Sequence, residues 1–164
     1  MRSYFFFVFL FGSILSLCAQ NMDPDLLYDV IKQEADTVKV SGNSYQFLYN
    51  EAMLICIYDE NANRMRIITP IVKREEIGEE ELLNVLVANF HSALDVKYAL
   101  SDEILWSVYT HPLQQLSEEQ LVDAIQQVYT AALTFGTTYS STDMVFPGNT
   151  RKVEKPKPKP LNKI

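Results

Sequence analysis

The side chains that could do chemistry are few and dispersed. Two histidines occur, His91 and His111, and two cysteines, Cys18 and Cys56. A zinc site needs three or four convergent donors, and no spacing around either histidine supplies them. Glu79, Glu80 and Glu81 are consecutive acids. Adjacent positions on a helix splay by about 100° each, so the three carboxylates do not converge on a cation. They suit the first turn of a helix, where negative charge complements the dipole. There is no Gly-rich phosphate loop, no His-Glu-x-x-His, no Gly-x-Ser-x-Gly and no cysteine pair. A hydrolytic triad needs a positioned nucleophile and base, and the chain has no local sign of either. No catalytic residue, metal or cofactor is expected. The alternative is a small envelope enzyme whose groups meet only in the fold, in a pocket that gathers His91 or His111 with carboxylates.

Recognition through aromatic side chains is the other available chemistry, at 12% of residues. Tyr45, Phe47 and Tyr49 alternate along one strand-like segment, and Tyr98, Trp106 and Tyr109 fall in two more. Such side chains dominate interfaces, so these six are the candidate interaction surface. Half-buried sheet faces select the same residue types for packing.

Charge bounds the partners. Of 14 basic and 21 acidic side chains, residues 20–150 hold 7 and 20, a net of -13. Residues 151–164 hold six basic groups against Glu154, a net of +5. An acidic body argues against nucleic acid and suits solubility. The alternating Lys-Pro tail favours an extended, self-repelling, disordered segment. It could contact an anionic envelope component or the chain's own acidic body.

At the other end, Arg2 precedes an apolar run from Tyr4 to Leu17. That run is shorter than a membrane span, and Ala19 offers a small residue for cleavage, so residues 1–19 read as a signal peptide. Leu17 is not small, which disfavours lipid attachment at Cys18. The expectation is export to the periplasm or beyond. Cys56 would then be the lone cysteine, sitting in the apolar run AMLICIYD as a small hydrophobe.

The elements that must position these residues are well signalled. Asp23-Pro24 opens a helix to about Ala35, with Leu26, Leu27, Val30 and Ile31 at helical spacing. Strands follow at 38–40, 45–50, 52–58 and 64–72, joined by turns too short for parallel crossovers. The run from Ala52 to Tyr58 reads as a strand covered on both sides. Pro70 is expected at an edge or outside the ladder. A second helix begins at the acid triplet, and its apolar positions Leu82, Leu83, Leu86, Val87, Phe90, Ala93 and Leu94 predict deep burial. A hairpin turns about Ser101-Asp102-Glu103. A last helix starts with the capping box Ser117/Gln120 and stops at Gly136.

This order resembles the YbjN family, which shares its fold with the small acidic chaperones of type III secretion. The local matches are SYQFLYNEAMLICIYD and DEILWSVYTHPLQQLSEEQLVDAIQQVYTAA, within residues 23–136. The resemblance implies a layered α+β domain, an antiparallel sheet with helices packed on it in the order α-β-β-β-β-α-β-β-α. It implies a domain, often dimeric, that acts by contacting a protein or peptide. The expected organisation is a signal peptide (1–19), the α+β domain (20–136), an irregular connector (137–150) and the basic tail (151–164). The expected function is an exported, non-catalytic protein-interaction or chaperone-like domain of the bacterial envelope, with a homodimer as a possible state.

Overall fold

In the computed structural model, residues 21–144 are described, so the leader, Cys18 and the Lys-Pro tail lie outside the described residues. Helix α1 spans Pro24–Glu34. Its N-cap Asp23 accepts a hydrogen bond from the Leu26 N–H at 2.9 Å, and Pro24 sits where no donor is needed. Met22 and Leu27 flank this start and are both buried. Four strands follow: β1 Thr37–Ser41, β2 Ser44–Tyr49, β3 Ala52–Asp59 and β4 Arg64–Lys73. Helix α2 (Glu79–His91) leads to β5 Lys97–Ser101 and β6 Ile104–His111, and helix α3 (Glu118–Leu133) closes the domain. The nine elements fall in the expected α-β-β-β-β-α-β-β-α order.

The strands form one antiparallel sheet in the order β1-β2-β3-β4-β6-β5. Its register sorts side chains by face, because successive residues of a strand point to opposite sides. Tyr45 pairs with Cys56, Phe47 with Leu54 and Cys56 with Ile67, and all are buried under α1 and α3. Hydroxyl groups tie the layers together. Tyr45 OH donates to Pro24 O (3.0 Å), Tyr98 OH to Ala131 O (2.8 Å) and Ser107 Oγ to Val128 O (2.9 Å). Each gives a buried polar group its partner at little distortion of the helix it touches.

Pro70 departs from expectation. It stays inside β4, opposite Trp106, at an irregularity that shifts register between Pro70 and Val72. The ladder with β3 ends at Ile68, so the N–H that proline lacks has no strand partner to miss.

Helix α2 departs more. It packs along the outer edge of β5 and not over the sheet. Its Asn89 side chain receives the Tyr98 N–H on Oδ1 (2.7 Å) and donates from Nδ2 to Tyr98 O (3.1 Å). One amide side chain thus stands in for a neighbouring strand. Asn89→Ala is expected to destabilise the fold by about 1–3 kcal/mol, since two half-buried backbone groups lose their partners. Thermal unfolding measures the loss, and faster hydrogen exchange at the Tyr98 amide locates it.

Helix α3 follows the sequence reading closely. Ser117 Oγ accepts from the Gln120 N–H (3.1 Å) and Gln120 Oε1 from the Ser117 N–H (3.0 Å). The helix ends at Leu133, and Gly136 takes a left-handed φ of +78° just beyond it. A strap from residue 137 to 144 then folds back. Ser92 Oγ donates to Tyr139 O (2.7 Å), Ser141 N to Ser92 O (3.2 Å) and Thr134 Oγ1 to Ser140 O (2.7 Å).

Candidate protein-interaction surface

The six aromatic residues singled out by pattern separate into three environments. Tyr45, Phe47, Tyr98 and Tyr109 are buried core and form no exposed patch. They alternate on the face that α1 and α3 cover, so their periodicity reports packing. Burial pushes the Tyr98 phenol up to about 12 and raises Tyr45 and Tyr109 as well. Tyr49 is half-buried at the end of β2, in edge-to-face contact with Tyr129 of α3 at 5.4 Å. Trp106 points the other way, half-exposed on the opposite face of the sheet, with its Nε1 donating to Ser101 O (3.1 Å).

Among the described residues, no helix lies on that opposite face. Its register aligns Leu48 with Met53, Ile55 with Ile68, Ile68 with Val108 and Pro70 with Trp106. Met53 is 47% exposed, Ile57 42% and Leu48 38%, while Ile55, Ile68 and Val108 are half-buried by one another. Lys39, Gln46, Arg66 and Thr110 border this apolar belt. The expectation that β3 is covered on both sides is therefore wrong: Ala52, Leu54, Cys56 and Tyr58 pack toward the core, while Met53 and Ile57 on the other face are exposed. The signal was present in the residue inventory, because three helices cannot cover both faces of a six-stranded sheet and an edge as well.

Helix α2 supplies a second apolar surface. Deep burial was expected, but only Val85 and Ala88 are buried, with Leu82 half-buried against the core. Leu83, Leu86, Val87 and Phe90 lie on the far side, and Phe90 is 81% exposed. Their i, i+3, i+4, i+7 spacing gathers them into one stripe. A helix docked on a sheet edge covers a narrow face, which leaves this second stripe to solvent. Glu81 accepts from the Gly78 N–H at 2.9 Å, so one member of the acid triplet serves as a cap, and Glu79 and Glu80 are exposed.

The groups weighed for catalysis stay apart. His111 Nδ1 lies 2.8 Å from Pro112 O and its ring stacks on Tyr109 at 6.0 Å. His91 packs against Phe90 at 4.8 Å. A polar cleft of about 680 Å³ lies beside α3 and the 137–144 strap, and neither histidine lines it. Among the described residues no group of three His, Cys, Asp or Glu side chains could hold a metal ion. Cys56 is buried, which pushes its thiol up to about 12 and leaves it protonated at neutral pH.

No family model matches this chain, and no curated protein does, so the YbjN resemblance has no such support. Solved structures do match. A chain of the complex of the Yersinia pestis type III secretion chaperone SycH with a stable fragment of YscM2 is 13% identical, with a TM-score of 0.54. The match covers 68% of this chain and 97% of that one. A chain of the HopA1–SchA chaperone–effector complex is 12% identical, with a TM-score of 0.53, over 68% and 94% of the two chains. At these identities the likeness is one of fold, and the fold is that of the type III secretion chaperones. This corrects the expected localisation. Those chaperones are cytoplasmic, which points away from a periplasmic or secreted protein.

Proposed function

We propose that this chain is a non-catalytic, chaperone-like domain that holds a segment of another protein against the helix-free face of its sheet, and that it works as a homodimer. The observation that carries the reading is the apolar belt from Leu48 through Met53, Ile55 and Ile57 to Trp106, exposed or half-exposed on a face that none of the described elements covers. Soluble monomers seldom leave contiguous apolar area of this kind in water unless something binds there. A partner segment with apolar side chains at alternate positions would match the belt, because the belt itself has the period of a sheet. The matched structures were solved as chaperone complexes with protein partners, which is consistent with this use of the fold.

Dimerisation rests on the outer stripe of α2. A two-fold axis beside this helix would set Leu83, Leu86, Val87 and Phe90 against the same residues of a second copy, an isologous seam of coiled-coil type. The stripe lies at one end of the sheet, beyond β5, so pairing there leaves both helix-free faces open.

The test places a photo-crosslinking side chain at Ile57, or at Trp106, in the protein expressed in its own cells. Both positions should yield the same adduct with one other protein, identified by mass spectrometry, and Met53→Asp should reduce it at least tenfold. Adducts with copies of this chain alone, or none, would refute the reading.

A further inference from the structure

The charges of this chain are sorted by element. The six strands together hold five basic side chains, Lys39, Arg64, Arg66, Lys73 and Lys97, and a single acid, Asp59. The rest of residues 20–150 holds two basic side chains and nineteen acids. All five strand cations are exposed, and all five project from the helix-free face. Arg64 and Arg66 alternate with the buried Met65 and Ile67, and Lys97 lies between the buried Val96 and Tyr98. Lys39 pairs with Gln46, whose neighbours Tyr45 and Phe47 are buried, and Lys73 pairs with Ile104 on the side of Trp106.

The register sets these cations around the apolar belt. One row crosses all six strands as Lys39, Gln46, Ile55, Ile68, Val108 and Lys97. At about 4.8 Å between strands, its two lysines stand roughly 24 Å apart with the aliphatic side chains between them. In the adjoining row Ile57 is followed by Arg66 and Thr110, and these line, together with Arg64, a recess of about 380 Å³.

The chain's own acids do not neutralise this face. Among the described residues the one salt bridge is Lys73–Glu75. Asp59 turns its Oδ1 to the Ala62 N–H, at 2.9 Å, in the loop after β3. Lys97 Nζ donates to Leu94 O, and Arg64 uses one of its donors on Asn63 O (2.8 Å). Lys39, Arg66 and the rest of the Arg64 guanidinium are open to a ligand. Lysine on an edge strand also discourages strand pairing, which is reason enough for Lys39 and Lys97. Arg64 and Arg66 stand on β4, an interior strand, where that reason does not apply.

We propose, building on the reading of this face as the partner site, that the segment held there is acidic as well as apolar. Its Asp or Glu side chains lie among the alternating apolar ones and meet Lys39, Arg64 and Arg66. Two opposed fields give the selectivity. The face attracts carboxylates, and the acidic helices and loops around it repel the same segment elsewhere, which fixes where it docks. Residues 151–164, with a side-chain net of +5, carry the wrong sign to occupy this face.

The test uses Trp106, the only tryptophan of the chain, as the reporter of this face. The full chain is titrated with short tryptophan-free peptides in which leucine alternates with glutamate, glutamine or lysine, and the Trp106 emission is followed. The glutamate peptide should act at a concentration at least about fivefold lower than the glutamine one, a margin kept modest by the weakness of exposed ion pairs. The margin should vanish at about 1 M salt, where the screening length is about 3 Å. It should also vanish in Lys39→Gln/Arg64→Gln/Arg66→Gln, with thermal melts checking the fold and the salt arm on the wild-type chain answering independently. Equal affinity for the glutamate and glutamine peptides overturns the charge preference and leaves the partner site standing. No shift with any peptide overturns it too, and cross-linking at Ile57 then shows whether the partner site falls with it. Tighter binding of the lysine peptide is equally fatal. So is a larger response to phosphatidylglycerol than to phosphatidylcholine vesicles, which would mean a lipid surface, or an emission change on diluting the chain alone, which would mean a second copy.

Discussion

Pairing through α2, as proposed above, predicts that Leu86→Glu combined with Phe90→Glu yields a monomer without loosening the fold. Both side chains are more than half exposed in the single chain, at 65% and 81%, and neither contributes to the core. Glutamate forms helix well, so the effect on monomer stability stays within about 0.5 kcal/mol. Across a two-fold seam the same substitutions remove four apolar side chains and set four carboxylates together. Losing even a third of the roughly 1.5–3 kcal/mol that each buried apolar side chain is worth weakens the dimer by about 2–4 kcal/mol before repulsion is added. The dissociation constant should rise by at least about 30-fold. Light scattering behind gel filtration reads the mass directly, and thermal melts confirm the fold. A wild-type chain that is itself monomeric at tens of micromolar would dispose of the dimer.

The second large effect contrasts neighbours. Phe47 is 2% exposed beneath the helices, and Leu48, next in sequence, is 38% exposed on the helix-free face. Phe47→Ala should destabilise the domain by about 3–5 kcal/mol, a large part of the 5–15 kcal/mol typical of a domain. Leu48→Ala should change stability by less than about 1 kcal/mol and act on partner binding instead. Urea midpoints for the two variants measure the difference, and similar losses in both would mean that the face bearing Leu48 is covered.

Element types and order were legible because many boundaries have a local chemical cause: Asp23-Pro24, the Ser117/Gln120 box, Gly136, and the tight turn at Asp102-Glu103. Those turn residues take positive φ, as tight hairpins require. What lay beyond the sequence was which apolar face meets which neighbour. The alternation Tyr45-Phe47-Tyr49 is the same for a core face and for a recognition face, and only the placement of α1 and α3 decides between them. The run AMLICIYD likewise carries no mark of being covered on one side. For α2 a signal did exist. Its apolar residues occupy two nearly opposite stripes, Leu82/Val85/Ala88 and Leu83/Leu86/Val87/Phe90, and a helix of this size at the rim of a small domain has one interior to face.

The amide of Asn89 has a consequence for how the molecule can polymerise. Strand-by-strand fibre growth needs two free sheet edges per molecule, one to add to the preceding unit and one to receive the next. Here Asn89 occupies the outward N–H and C=O of Tyr98 in β5 and leaves Leu100 alone facing outward there, so among the described residues only β1, with Lys39 at its middle, presents a run of open backbone groups. Edge-to-edge pairing through β1 joins two molecules about a two-fold axis and then has nowhere to go. A single side chain at the far rim of the sheet thereby makes that mode of association self-terminating.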